Sequence, residues 1–282
     1  GQSLFNNTVD TIILWVTVKW KPKRVFSFQR LKGLFSYSWK LLFSSLLDTV
    51  YNNLRSLIIG KVYSSKDLAF YNRGQSWPNL IIENVNSSID SVLFPSMSAS
   101  QSDRERVKMM TRRAIKTSTY VIAPLMMGLA FCGTPLVRLV LTEKWLFCVP
   151  FQVIFCITYM FYPIHTANLN AIKAMGRSDL FLKLEIIKKI VGLIALAITV
   201  PISVMAMGYS LLVTSVLGQI INSWPNKRLL NYGYLEQVKD ILPGIALAVG
   251  MGICIYPIQY LGLPDIITLV TQVVAGAIIY IG

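Results

Sequence analysis

The amino-acid sequence predicts an all-α, multi-spanning transmembrane helix bundle, and three observations carry that fold class. Of 282 residues, 54% are hydrophobic and only 14% charged, against about 25% charged in an ordinary soluble domain. The apolar residues gather into long blocks rather than short amphipathic stripes, and a block needs about 20 residues to cross the hydrocarbon core. The basic residues fall between those blocks in alternation, rich in one connector and poor in the next.

The blocks run in order along the chain. Leu4–Val18 reads as the end of a spanning helix, with Trp15 and Trp20 at an interface. Eight others follow, over Tyr37–Val62, Trp77–Met97, Thr117–Gly133, Phe147–Ile172, Ile187–Met207, Tyr209–Trp224, Ile241–Tyr260 and Ile266–Gly282. Pro78, Pro95, Pro124, Pro163, Pro201 and Pro257 lie in or beside them, as membrane helices allow when neighbours satisfy the freed carbonyls. The chain opens on Gly1 and stops inside its last block, so a piece of a longer protein is expected.

Charge gives the orientation. Twenty basic residues lie on Lys19–Lys32, Arg104–Lys116, Lys173–Lys189 and Lys227–Lys239, and five on the intervening connectors. The first set is therefore cytoplasmic. The formal charge of +14 reads as topology, since no aromatic-plus-basic motif for nucleic acid accompanies it. Cys132, Cys148, Cys156 and Cys254 match no metal or redox spacing and read as buried free thiols.

Two blocks are too polar for lipid. Lys40, Ser44, Asp48, Asn52 and Arg55 are spaced 4, 4, 4 and 3, and Asn79, Glu83, Asn86 and Asp90 are spaced 4, 3 and 4. Each set occupies one helical face. A charge at mid-bilayer costs about 2.5–3.5 kcal/mol on insertion scales, so such faces border a water-filled cavity or each other. The acids could also simply neutralise Lys40 and Arg55. His165, the only histidine, follows Pro163; it can take a coupling proton or bond a carbonyl freed at the kink. Ala246/Gly250 and Ala248/Gly252 are small-residue pairs suited to close helix packing. No phosphate-binding loop, metal spacing or nucleophile elbow occurs. No catalytic residue, metal or cofactor is expected.

Several stretches resemble one family: Phe35-Ser-Tyr-Ser-Trp-Lys-Leu-Leu, Leu57-Ile-Ile-Gly-Lys-Val-Tyr-Ser-Ser-Lys-Asp-Leu-Ala-Phe-Tyr-Asn-Arg-Gly, Leu93-Phe-Pro-Ser-Met-Ser, Thr134-Pro-Leu-Val-Arg-Leu-Val-Leu-Thr-Glu-Lys-Trp and Lys173-Ala-Met-Gly-Arg-Ser-Asp-Leu-Phe-Leu-Lys. The chain resembles the polysaccharide flippases, the Wzx and teichuronic-acid-exporter-like branch of the multidrug/oligosaccharidyl-lipid/polysaccharide exporter superfamily. The resemblance covers roughly Lys19 to Lys189; beyond that it is mainly hydropathic.

The resemblance implies two helical lobes around a central cavity, working by alternating access in the bacterial cytoplasmic membrane. Residues 1–18 would end the first lobe, 19–35 would be a basic cytoplasmic linker, and 36–282 the second lobe. The substrate implied is an oligosaccharide on a polyprenyl diphosphate. Polysaccharide polymerase and chain-length proteins would be protein partners, membrane lipid the surroundings, and nucleic acid no partner. On that footing Lys40 and Arg55 are candidates for the diphosphate, because arginine offers a planar fork and lysine a point charge. Asn52, Asn53, Asn86 and Ser87 would bond sugar hydroxyls, and Asp48, Glu83, Asp90 or His165 would take a coupling cation. Three other readings stay open: a cation-coupled drug antiporter of the same superfamily, a membrane-bound polysaccharide polymerase, and a structural assembly subunit. The longest outward connector, Ser64–Ser76, is short for a catalytic loop.

Overall fold

The computed structural model describes residues 2–18 and 27–282, with the backbone alone at some positions of the first two helices. The side chains of Lys40, Asp48 and Asn52 lie outside the described residues, as do residues 19–26 of the expected linker, Trp20 among them. The chain divides into two compact units, residues 1–39 and 40–282. The first holds α1 (Gln2–Val18) and the opening of α2 (Phe28–Val62). Trp15 on α1 is exposed.

The second unit continues from α2 through α3 (Ser65–Ala99), α4 (Arg104–Phe131), α5 (Gly133–Leu141), α6 (Val149–Met160) and α7 (Tyr162–Ala174). It ends with α8 (Ser178–Thr199), α9 (Val204–Leu229), α10 (Tyr234–Ile255) and α11 (Asp265–Ile281). Among the described residues there is no strand. Four runs are long and apolar enough to cross a membrane by length and composition: Arg104–Phe131, Glu143–Ala174, Val204–Leu229 and Tyr234–Tyr260. With the shorter apolar α11, they make this a multi-pass membrane protein. The large apolar side chains left exposed, such as Ile190, Leu193, Ile194 and Ile198 along α8, are what a lipid-facing surface requires.

Several boundaries differ from the sequence expectation, each for a local reason. The Ser64–Ser76 connector is only a bend, because Ser64 caps α3. Its Oγ accepts from the Asp67 N–H at 3.0 Å and donates to Asp67 Oδ2 at 2.6 Å. The break expected after Met207 falls instead at residues 200–203, where Pro201 cannot continue α8 and Ser203 caps α9 through the Ala206 N–H. The block Phe147–Ile172 is two helices broken at Phe161, ahead of Pro163. The short α5, preceded by Cys132 and followed by a 3₁₀ turn over Glu143–Cys148, was not foreseen.

The basic connectors are largely helical. Asp103 caps α4 through the Arg106 N–H at 3.0 Å, so Arg104–Lys116 forms its first three turns. After α7, Gly176 takes φ +73° and the chain closes a Schellman turn, with Gly176 N–H on Lys173 O and Arg177 N–H on Ile172 O. That turn starts α8 at Ser178 and puts Lys183, Lys188 and Lys189 on a helix.

Contacts pin neighbouring helices together; α4 and α10 run parallel, their first turns meeting at Arg112–Asp240 and their last at Phe131–Gly252. Arg112 of α4 pairs with Asp240 of α10 at 2.7 Å at one end of the lobe, and Arg138 of α5 with Asp265 of α11 at 3.3 Å at the other. Behind the cavity described below, Ile82, Ile122, Met126, Cys156, Met160 and Met251 form one apolar core. Ile59, Tyr71, Phe151, Phe155, Leu196 and Met207 form another, near the C-terminal ends of α2 and α8 and the start of α9. Cys132, Cys148 and Cys156 are buried free thiols, whereas Cys254 is exposed; α10 turns it away from the face that meets α4.

Candidate functional site: a charged cavity in the helical lobe

A cavity of about 960 Å³ opens within the second unit, walled by α2, α3, α6, α7, α8 and α9. Its wall is unusual for a membrane lobe. Arg55, Lys173, Lys188 and Lys189 face it together with Glu83, Asp90 and Glu185, among serines, threonines and carboxamides.

The α3 side comes from the polar stripe. Asn79, Glu83, Asn86 and Asp90 all line the cavity, as does Ser87. Each of the first four has a partner. Asn79 Nδ2 donates to Glu83 Oε1 at 2.7 Å, Thr166 Oγ1 donates to Asn86 Oδ1 at 3.3 Å, and Asn170 Nδ2 donates to Asp90 Oδ1. Glu83 is exposed to the cavity and Asp90 half-buried.

From α2, Ser44 and Arg55 line the cavity. Arg55 is 4% exposed and is held by α9 rather than by an acid: Nη1 donates to the Met207 carbonyl and, at 3.3 Å, to Ser210 Oγ. The Ser210 hydroxyl itself donates to the same carbonyl at 2.7 Å. Arg55 Nη2 is buried without a hydrogen-bond partner, and no carboxylate pairs with Arg55 among the described residues. Neutralisation by the acids of α3 is therefore not how this charge is accommodated. A desolvated guanidinium with an unused donor on a cavity wall favours an acceptor there. Asn53 is exposed, lies outside the cavity wall, and donates back to Thr49 O at 2.8 Å. Lys40, Asp48 and Asn52 have no described side chains to place.

The sequence reading missed the cations of α7 and α8, which it counted only as topology. Lys188 Nζ lies 2.5 Å from Glu185 Oε1, and Lys189 Nζ lies 3.9 Å from Glu185 Oε2. Lys189 also sits over the Tyr51 ring, 4.6 Å from its centroid, and Lys173 over Phe181 at 5.5 Å. The available signal was the spacing of Lys188 and Lys189, three and four residues after Glu185, which puts all three on one helical face. Tyr51 reaches across to α8, where a Cβ on Gly192 would meet its hydroxyl at 2.1 Å.

His165 also lines the cavity. It bonds a side chain, not a carbonyl freed by Pro163: its Nδ1 is 2.9 Å from Asn222 Nδ2. With that amide donating, the ring is neutral with its proton on Nε2. Asn222 Oδ1 is buried and unpartnered, so rotation of the amide would supply an acceptor for a proton on Nδ1. Behind it, Asn168, Ser223, Asn226 and Gln237 share a buried hydrogen-bond network. Asn226 Nδ2 and Gln237 Nε2 donate to Asn168 Oδ1 at 2.6 and 3.0 Å, and Asn168 Nδ2 donates to Gln237 Oε1 at 2.7 Å. The network ties α7, α9 and α10 together beneath the cavity.

The charges of this cavity are spread along the helices that wall it. Arg55 lies seven residues before the Val62 end of α2 and Asp90 nine before the Ala99 end of α3, roughly 10 and 14 Å from those ends. Lys173 stands in the last turn of α7. Positive charge thus recurs from one end to the other.

The fold has a known counterpart, and the sequence has relatives. The fold superposes on lipid II flippase MurJ, in an inward closed conformation, with a TM-score of 0.72 at 15% identity, over 92% of this chain and 55% of that one. Teichuronic acid biosynthesis protein TuaB of Bacillus subtilis is 22% identical over 277 residues, which are 96% of this chain and 57% of TuaB. Succinoglycan biosynthesis transport protein ExoT of Rhizobium meliloti is 26% identical over 49% of this chain and 28% of its own. Lipopolysaccharide biosynthesis protein WzxC of Escherichia coli is 21% identical over 69% of this chain and 40% of its own. The chain spans about half the length, or less, of the curated relatives it matches. Residues 1–150, more than half of the chain, match the family described as polysaccharide biosynthesis protein, and on that match this multi-pass membrane chain belongs to it.

Proposed function

We propose that the protein to which this chain belongs flips polyprenyl-diphosphate-linked oligosaccharide units across the bacterial cytoplasmic membrane by alternating access, as a transporter and not a catalyst. In this reading residues 36–282 are its second lobe and residues 19–35 the cytoplasmic linker from the first. The observation that carries it is the composition of the cavity wall, where four cations accompany a lining of amides and hydroxyls in about 960 Å³. That volume is at the upper end for ligand pockets. A diphosphate needs the cations, sugar hydroxyls need the amides, and the polyprenyl tail stays in lipid.

The roles divide by position. Lys173, Lys188 and Lys189 meet the diphosphate where the cavity faces the cytoplasm, and Arg55 meets it further out through Nη2. Asn86 and Ser87 bond the sugars, with Lys40 and Asn52 added from their place on the α2 stripe. Glu83, Asp90, Asp48 and His165 are the coupling-ion candidates. The names of TuaB, ExoT and WzxC, which concern surface-polysaccharide biosynthesis or transport, support this substrate class. The excess of cations over acids weighs against a drug antiporter, whose cationic cargo favours unpaired acids.

The test is leaflet translocation of a labelled lipid-linked oligosaccharide in vesicles holding the full-length protein. Transfer above protein-free vesicles is expected. Absence of transfer, with movement of a cationic drug instead, would leave the antiporter reading standing.

A further inference from the structure

A second cavity lies on the far side of the lobe. It is a groove of about 520 Å³ between the cytoplasmic halves of α4 and α10, bordered by Lys116, Thr119, Tyr120, Lys239, Gly244 and Leu247. Its polarity is graded. Lys116 and Lys239 stand at the cytoplasmic end, while Tyr120 lies one turn deeper on α4 and Leu247 two turns deeper on α10. Tyr120 is 52% and Leu247 41% exposed, so the deeper end opens on the lipid-facing surface. Gly244 leaves the wall open, with nothing within 4 Å of where a Cβ would stand. Pro243 has no N–H to give the Lys239 carbonyl.

Thr119 supplies an independent sign of a ligand. It is 1% exposed, and its Oγ1 is buried without a hydrogen-bond partner. Thr111, Thr158, Thr199 and Thr214 all return their hydroxyls to the carbonyl four residues back; Thr119 does not. Asp240 also borders the groove, but its charge is already met. Arg112 grips both carboxylate oxygens at 2.7 Å, Tyr232 donates to Oδ2 at 2.8 Å, and Lys116 Nζ is 3.9 Å from Oδ1. Counting Glu236, whose charge also acts on Arg112, three cations against two acids leave the mouth positive.

We propose that this groove holds an anionic phospholipid of the cytoplasmic leaflet, its phosphodiester between Lys116 and Lys239 with Thr119 Oγ1 donating to it. One acyl chain then runs along Tyr120 and Leu247. Basic pockets between helices at this depth are suited to acidic headgroups. A free phosphate would satisfy the lysines but leave the apolar half of the groove unfilled, and this gradient selects the lipid. The site is separate from the charged cavity and stands whether or not the protein flips oligosaccharides.

Native mass spectrometry of the full-length protein, with phosphatidylglycerol, phosphatidylcholine or inorganic phosphate added, tests it. Retained phosphatidylglycerol is expected in preference to phosphatidylcholine, undisplaced by millimolar phosphate. The double variant K116Q/K239Q should bind phosphatidylglycerol roughly thirtyfold more weakly, about fivefold per lysine. Arg106→Gln, which removes one charge from the same helix end away from the groove, should leave binding unchanged. Equal binding by the double variant and wild type overturns the proposal, as does parity between the two lipids. Displacement by inorganic phosphate would convert the site to one for a free anion and overturn it too. If the double variant does not fold, the near-isosteric Thr119→Val decides: weaker phosphatidylglycerol binding supports the proposal, and undiminished binding overturns it.

Discussion

Arg55 is the residue on which the chemistry of the cavity turns, and its surroundings separate two roles that the sequence left merged. Because Ser210 also donates to the Met207 carbonyl, Arg55→Ala does not strand that acceptor, and the expected folding cost is about 1–3 kcal/mol, mainly lost packing. A structural arginine should then be replaceable by lysine, which can reach the same carbonyl. A diphosphate ligand should not, because lysine held on Met207 keeps no second arm. We expect both Arg55→Ala and Arg55→Lys to insert normally and lose oligosaccharide translocation in vesicles. Normal translocation by Arg55→Ala would remove Arg55 from the mechanism.

Helix contacts show why a motif and its meaning come apart. The pairs Ala246/Gly250 and Ala248/Gly252 have the same spacing on α10, yet only the second meets another helix. A Cβ on Gly252 would stand 2.2 Å from Phe131 Cδ2, whereas one on Gly250 would meet nothing within 4 Å; Ala248 is fully buried. Gly252→Ala should therefore destabilise the α4–α10 contact by about 1–3 kcal/mol, with partial recovery in a Phe131→Leu background. Gly250→Ala should be neutral or stabilising by about 0.5–1 kcal/mol through helix propensity. Thermal unfolding in detergent reads both, and equal shifts for the two variants would contradict the packing assignment.

Across the whole molecule, the 20-to-5 partition of basic residues and the like-end ion pairs of α4 with α10 and of α5 with α11 describe one topology. In a Cys254→Ser background, which removes the exposed thiol, cysteines at Arg112 and Arg228 should label only from the cytoplasm. Cysteines at Lys66 and Lys144 should label only from outside. Labelling of Arg112→Cys from outside would invert the topology, and with it the direction assigned to the cavity.

The succession of helical blocks and the polar face of α3 were legible in the residues, because each depends only on spacing along one helix: the length of an apolar run and the 3.6-residue period. The helix caps at Ser64, Asp103 and Ser203 were equally local, though the apolar blocks on either side obscured them. The partners were not legible. Periodicity says that Arg55 shares a face with Ser44, but not that Arg55 meets the Met207 carbonyl of α9 and, among the described residues, no acid. It ranks Lys188 and Lys189 as cytoplasmic charges, but the tilt and rotation of α8 are set by its neighbours, and they bring both lysines into the cavity. The same holds for Gly252 and Thr119. One helix's sequence specifies which residues lie together on a face, while the rotation of that face toward a neighbour comes from packing among all the helices at once.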